Sequence, residues 1–133
     1  MEPHQIWIID PNPIHRNLIR LRLERAGLGE VITIPGPEDC LYRLGKGMKP
    51  RFLVADVASF NNGYGNLPQI LRNYAPLAKL IIFTNEDNAE KADQLLSQGA
   101  DDYILKAGAD LNGLQELCHN LRYLSALEVS GHF

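Results

Sequence analysis

Four residues of this chain stand where short apolar runs end. Asp10 follows Gln5-Ile6-Trp7-Ile8-Ile9, and Asp56 follows Phe52-Leu53-Val54-Ala55. Thr84 follows Leu80-Ile81-Ile82-Phe83, and Lys106 follows Tyr103-Ile104-Leu105. Two carboxylates, a hydroxyl and an amine are the side chains that phosphate chemistry uses. Each has a bland role when taken alone. Asp10 and Asp56 would cap turns, Thr84 would bond the backbone, and Lys106 would be solvated. Chance rarely puts all four at strand ends together.

The runs must be strands for those ends to converge. Short apolar runs buried on both faces mark parallel strands. Val31-Ile32-Thr33-Ile34 completes a set of five. Helical patterns lie between them, over 13–26, 37–44, 67–74, 88–98 and 110–127. Asn12 is a natural N-cap for the first of these, Pro13 fits its first turn, and Gly27 fits the position past its end. Its apolar line reads as Ile14, Leu18, Leu21 and Arg25. In the second helix Cys40, Leu41 and Leu44 face inward. The fifth carries Leu114, Leu117, Cys118, Leu121 and Leu124. Alternating strands and helices predict a parallel sheet covered on both faces, with right-handed crossovers. A doubly wound sheet binds ligands at the carboxyl ends of its strands, where the order reverses. That is where the four residues stand.

Composition bounds the function. The 133 residues carry 13 basic and 16 acidic side chains, a net charge of −3, with a pI near 5.8. This length fits one domain, taken as 1–133 with its core over about 5–127. The absence of a basic cluster argues against nucleic acid. No apolar run approaches the length of a membrane span or a signal segment. Cys40 and Cys118 make no CxxC pair, so neither a disulfide scaffold nor a zinc ribbon is expected, and the expected compartment is reducing cytoplasm. A domain filling the chain leaves no space for an output module, so output is expected to be a protein contact.

The strand-end residues, with Gly99-Ala100-Asp101-Asp102-Tyr103 before Lys106, resemble the receiver domain of bacterial two-component response regulators. The resemblance covers about residues 5–127 and is strongest over 84–106. It implies a flavodoxin-like (βα)5 fold with strand order 2-1-3-4-5. It implies a CheY-like phosphorelay module that accepts phosphate on Asp56 from a histidine kinase or phosphotransfer protein. Lys106 and Thr84 would contact the phosphoryl group, and Thr84 and Tyr103 would form the switch. Mg²⁺ would bind Asp10 and Asp56, with Asn12 and the Ala58 backbone carbonyl as further oxygens. Such a module is not an enzyme, although it assists its own phosphoryl transfer and dephosphorylation. It would switch contacts with a downstream protein; the resemblance leaves the oligomeric state open and offers the fourth helix, fifth strand and fifth helix as a face for a homodimer. The chemistry is coherent. A carboxylate is a competent phosphoryl acceptor, and a cation on either side offsets the repulsion between two anions.

The chain also departs from the family pattern. Only Asp10 is acidic in the first loop. Pro11 replaces the acid expected to touch Mg²⁺, which predicts a weak metal site. Ala107 replaces the usual proline after Lys106, and a cis bond before alanine would cost about 2.5–4 kcal/mol, so a trans bond is expected. Asn85 is bulkier than the small residue usual after Thr84 and is expected to narrow access to Asp56. Ser59-Phe60 replaces the usual methionine-proline, and Asn61-Asn62-Gly63-Tyr64-Gly65 reads as a long turn. The alternative is therefore a pseudo-receiver, a binding module that works without phosphate. A phosphatase or flavin carrier on the same fold is less well supported: Ala58 stands where a phosphatase needs a second aspartate, and Asp10-Pro11-Asn12-Pro13 is a poor flavin loop. His15 has no histidine or cysteine at ligand spacing and reads as a surface residue. Glu86, Asp87, Glu90 and Asp93 read as a solvated face.

Overall fold

The computed structural model describes residues 5–60 and 66–130. The expected turn over 61–65 lies outside them. Five strands form one parallel sheet: β1 (Gln5–Ile9), β2 (Glu30–Ile34), β3 (Phe52–Ala55), β4 (Lys79–Thr84) and β5 (Asp102–Leu105), in the order β2-β1-β3-β4-β5. The helices are α1 (Pro13–Arg25), α2 (Pro37–Gly45), α3 (Leu67–Tyr74), α4 (Ala89–Ser97) and α5 (Leu114–Ser130). A 3₁₀ turn, Val57–Phe60, follows β3. Ile9 pairs with Ile34 on one side and Ala55 on the other, so β1 is an interior strand and the chain winds outward from it in both directions.

Side chains alternate across a strand, so each central strand feeds two cores. Trp7, Ile9, Leu53, Ala55, Leu80 and Ile82 pack with Cys40 and Leu44 of α2, Leu67 and Leu71 of α3, and Leu95 of α4. Ile6, Ile8, Phe52, Val54, Ile81 and Phe83 pack with Ile19 and Leu23 of α1 and Leu117, Cys118 and Leu121 of α5. Two helices therefore cover one face and three the other. The double burial explains the unbroken apolar runs.

Two expected features are corrected. The face of α1 that meets the sheet is not Ile14, Leu18 and Leu21, which are 68%, 38% and 36% exposed. Ile19 and Leu23 are buried instead, with Ala26 partly buried beside them. Continued toward the helix start, that line reaches His15, next to Arg16. It is polar at its beginning because there it meets the Lys106 ammonium and the Asp10 backbone carbonyl rather than the core. The polar start hid the buried face behind a more uniformly apolar one.

The second correction is the start of α5, at Leu114 rather than Asp110. Residues 108–113 form turns. Leu111 is buried with a left-handed φ of 53°. At Gly113 a Cβ would come within 2.0 Å of the Leu105 carbonyl oxygen, so only glycine fits there without backbone movement. The Gly113 N–H donates to the Lys106 carbonyl at 2.8 Å. The chain thus folds tightly back on the end of β5 before α5 begins.

Candidate functional site

The parallel sheet brings the four strand-end side chains together at its carboxyl edge. Asp10, Asp56, Thr84 and Lys106 are all buried. Backbone bonds fix each one. The Asp56 N–H donates to the Ile9 carbonyl at 3.0 Å, and the Lys106 N–H donates to the Thr84 carbonyl at 2.7 Å.

Lys106 is the centre of the cluster. Its Nζ lies 2.6 Å from Asp10 Oδ2 and 2.6 Å from Asp56 Oδ2. It lies 2.9 Å from His15 Nδ1. The remaining carboxylate oxygens are engaged by backbone donors. Asn12 N–H donates to Asp10 Oδ1 at 2.9 Å, and Ala58 N–H donates to Asp56 Oδ1 at 2.9 Å. Thr84 Oγ1 approaches Asp56 Oδ1 at 3.4 Å while accepting from the Glu86 N–H at 3.2 Å. Arg16 donates to the Asp10 carbonyl oxygen at 2.6 Å, bracing the first loop from α1. Two buried carboxylates and one ammonium leave a formal charge of −1. The pairing offsets a desolvation cost that neither carboxylate could bear alone.

Asn12 serves α1. Its side-chain oxygen accepts from Ile14 N–H at 2.9 Å and His15 N–H at 3.2 Å, and its carbonyl accepts from Arg16 N–H at 3.0 Å. Pro13 favours the extended backbone that this cap needs, and Asn12 has φ −89° and ψ 112°. Two carboxylates, Asp10 and Asp56, remain, side by side across Lys106. That set fits Mg²⁺, which is held by one or two carboxylates plus water. Among the described residues no group of three or more His, Cys, Asp or Glu gathers as a metal site.

The loops on the far side carry the other departures. The Lys106–Ala107 bond is trans, as expected, and Ala107 takes a left-handed φ of 60°. Asn85 is exposed and turns toward the neighbouring loop rather than over Asp56. Its Oδ1 accepts from Gly108 N–H at 2.9 Å and its Nδ2 donates to the Gly108 carbonyl at 3.4 Å. This two-way clasp ties the β4–α4 loop to the turn after Lys106. Tyr103 is half-buried, and its hydroxyl donates to the Glu86 carbonyl at 2.6 Å. Burial raises its pKa, helped by the carboxylates of Glu86, Asp56 and Asp87. Asp87, Glu90 and Asp93 are exposed, as a solvated face requires.

His15 corrects a sequence expectation. It is half-buried and bonded to Lys106, not a surface residue. The signal was available in the line His15, Ile19, Leu23 and Ala26, spaced for one helix face.

A family model described as the response regulator receiver domain matches residues 6–118. The chain belongs to that family. This receiver domain is 26% identical over 121 residues to the "Regulator of RpoS" of Escherichia coli strain K12, a match covering 91% of this chain and 35% of that protein. The receiver therefore spans about a third of the length of the curated relatives it matches. A response regulator from Burkholderia pseudomallei, solved with a phosphorylated aspartic acid, calcium ion and citrate, is 25% identical. It aligns over 94% of this chain and 74% of its own, with a TM-score of 0.70. A CheY-like receiver domain protein from Methanospirillum hungatei JF-1 shares the fold at 20% identity and a TM-score of 0.74, over 92% of this chain and 97% of its own. No helix among the described residues is long and apolar enough to cross a membrane.

Proposed function

We propose that this receiver accepts a phosphoryl group on Asp56 from a histidine kinase or phosphotransfer protein and signals through altered protein contacts. The observation that carries the reading is the convergence of Asp10, Asp56, Thr84 and Lys106 into one buried cluster. An Asp56 carboxylate oxygen would attack the donor phosphorus. The bond from phosphorus to the donor imidazole breaks, and the imidazole leaves with the electron pair and later takes a proton. Lys106 and the Thr84 hydroxyl are placed to meet the oxygens of the transferred group.

Bound Mg²⁺ would offset charge between the incoming phosphoryl group and the carboxylates. Asp10, Asp56 and the Ala58 carbonyl would hold it. Pro11 adds no side-chain oxygen, so binding is expected to be weak. The module acts as a cytoplasmic switch rather than an enzyme on outside substrates. The exposed face of α4, β5 and α5 is the surface through which it would pair with a second copy.

A second reading, a receiver that works without phosphate, is favoured by one observation. Tyr103 is already docked on the Glu86 carbonyl, with Thr84 already beside Asp56. Beryllofluoride with Mg²⁺, which mimics an aspartyl phosphate, separates the two. The phosphate-driven reading expects saturable amide NMR shifts at Asp56, Thr84 and Lys106 that spread to Tyr103. Shifts confined to the loops, with Tyr103 unmoved, support the second reading. No shifts at any of these residues would contradict the phosphoacceptor.

A further inference from the structure

We infer that His15 is a positioning residue for Lys106, holding the ammonium through the lone pair of Nδ1 so that it stays aimed at Asp56. The inference deepens the phosphoacceptor reading and rests on it for its consequence, though not for its geometry.

A lysine ammonium has three N–H donors and no lone pair. Lys106 is buried, so each donor needs a partner. Asp10 Oδ2, Asp56 Oδ2 and His15 Nδ1 are those partners, at 2.6, 2.6 and 2.9 Å. Because the ammonium can only donate, His15 Nδ1 must accept. The ring proton then sits on Nε2, and the imidazole is neutral. Asp10 and Asp56 already leave the cluster at a formal charge of −1, and a further carboxylate partner for Lys106 would add to it. A neutral imidazole satisfies the third donor without adding charge.

The imidazole is held on a rigid frame. Asn12 caps the helix by accepting from the Ile14 and His15 N–H groups. One turn further on, Ile19 is buried against the sheet. When Asp56 takes a phosphoryl group, Lys106 must leave the Asp56 oxygen and donate to a phosphoryl oxygen. Asp10 and His15 remain as anchors, so Nζ swings through one contact instead of searching for it.

The test uses the whole chain and ¹⁵N NMR of the His15 ring and the Lys106 side chain. It adds phosphoryl uptake from a small phosphodonor with Mg²⁺ and denaturant unfolding. The expected results are an Nε2–H tautomer for His15 and a Lys106 ammonium resonance that shifts in His15→Leu. Uptake in His15→Leu should slow about tenfold, the scale of one hydrogen bond to a charged group. His15→Asn, which offers a carboxamide oxygen near the Nδ1 position, should restore most of the rate. An Nδ1–H tautomer overturns the proposal, as does uptake in His15→Leu equal to the unchanged protein. A general packing defect would slow Asn and Leu variants alike, in step with stability, and that outcome also overturns it. If the unchanged protein takes up no phosphate, the phosphoacceptor reading fails. The tautomer and the Lys106 resonance then decide the His15 proposal by themselves.

Discussion

Lys106 sits in a buried pocket where a misplaced ammonium would be costly. Its position depends on residues with no chemistry of their own. In this chain the turn after Lys106 has a trans bond, a left-handed Ala107, the Asn85 clasp on Gly108, and Gly113 pressed against the Leu105 carbonyl. Gly113→Ala tests that arrangement. The added Cβ would meet backbone, which cannot turn aside, so a loss of about 2 kcal/mol is expected. Denaturant unfolding measures the loss, and phosphoryl uptake by the folded fraction should fall with it as Lys106 moves. Unchanged stability and uptake would show that the turn does not set the lysine. At this scale the sequence was half legible. Strand-end position identified Asp10, Asp56, Thr84 and Lys106, because parallel pairing brings strand ends together whatever the loops do. It could not show that Asn85 reaches Gly108 or that His15 reaches Lys106, because both contacts depend on how separate loops and helices lie in space.

The elements were more legible than the faces they present. Strands β1 and β3 match their sequence expectations residue for residue, because double burial leaves a plain apolar signal, and helix α3 matches with Pro68 marking its first turn. The inward face of α1 is less legible because its first turn is polar, where it meets the site rather than the core. A pair of substitutions separates the two faces. Leu23 is fully buried, so Leu23→Ala should cost about 2–5 kcal/mol. Leu18 is 38% exposed, so Leu18→Ala should cost less than about 1 kcal/mol. Urea unfolding of the two variants measures both. Equal losses would contradict the packing of α1. The late start of α5 has a local cause: the backbone of Gly113 packs on β5 before the helix can begin.

For the whole molecule, the double winding serves two ends at once. It buries two apolar cores, and it turns one edge of the sheet into a cluster of charged and polar groups. The cores carry the two cysteines, both buried. Burial is the main cause that raises the Cys40 thiol from an ordinary 9.0 to about 12, with Asp39 adding to it and Arg43 opposing it. A raised folded-state value means the native state holds the proton more tightly. That stability is fully present below about pH 9 and is lost as the pH rises toward 12. Cys40→Ala should therefore flatten the alkaline limb of a stability–pH curve measured by denaturant unfolding. An unchanged slope would contradict the burial of the thiol.

The central claim is that Asp56, served by Lys106 and Thr84, is a phosphoacceptor. Intact-mass measurement after incubation with a small phosphodonor and Mg²⁺ tests it most directly. The account predicts a gain of one phosphoryl group in the unchanged protein and none in Asp56→Asn. No gain in the unchanged protein, or a gain that survives Asp56→Asn, would contradict it.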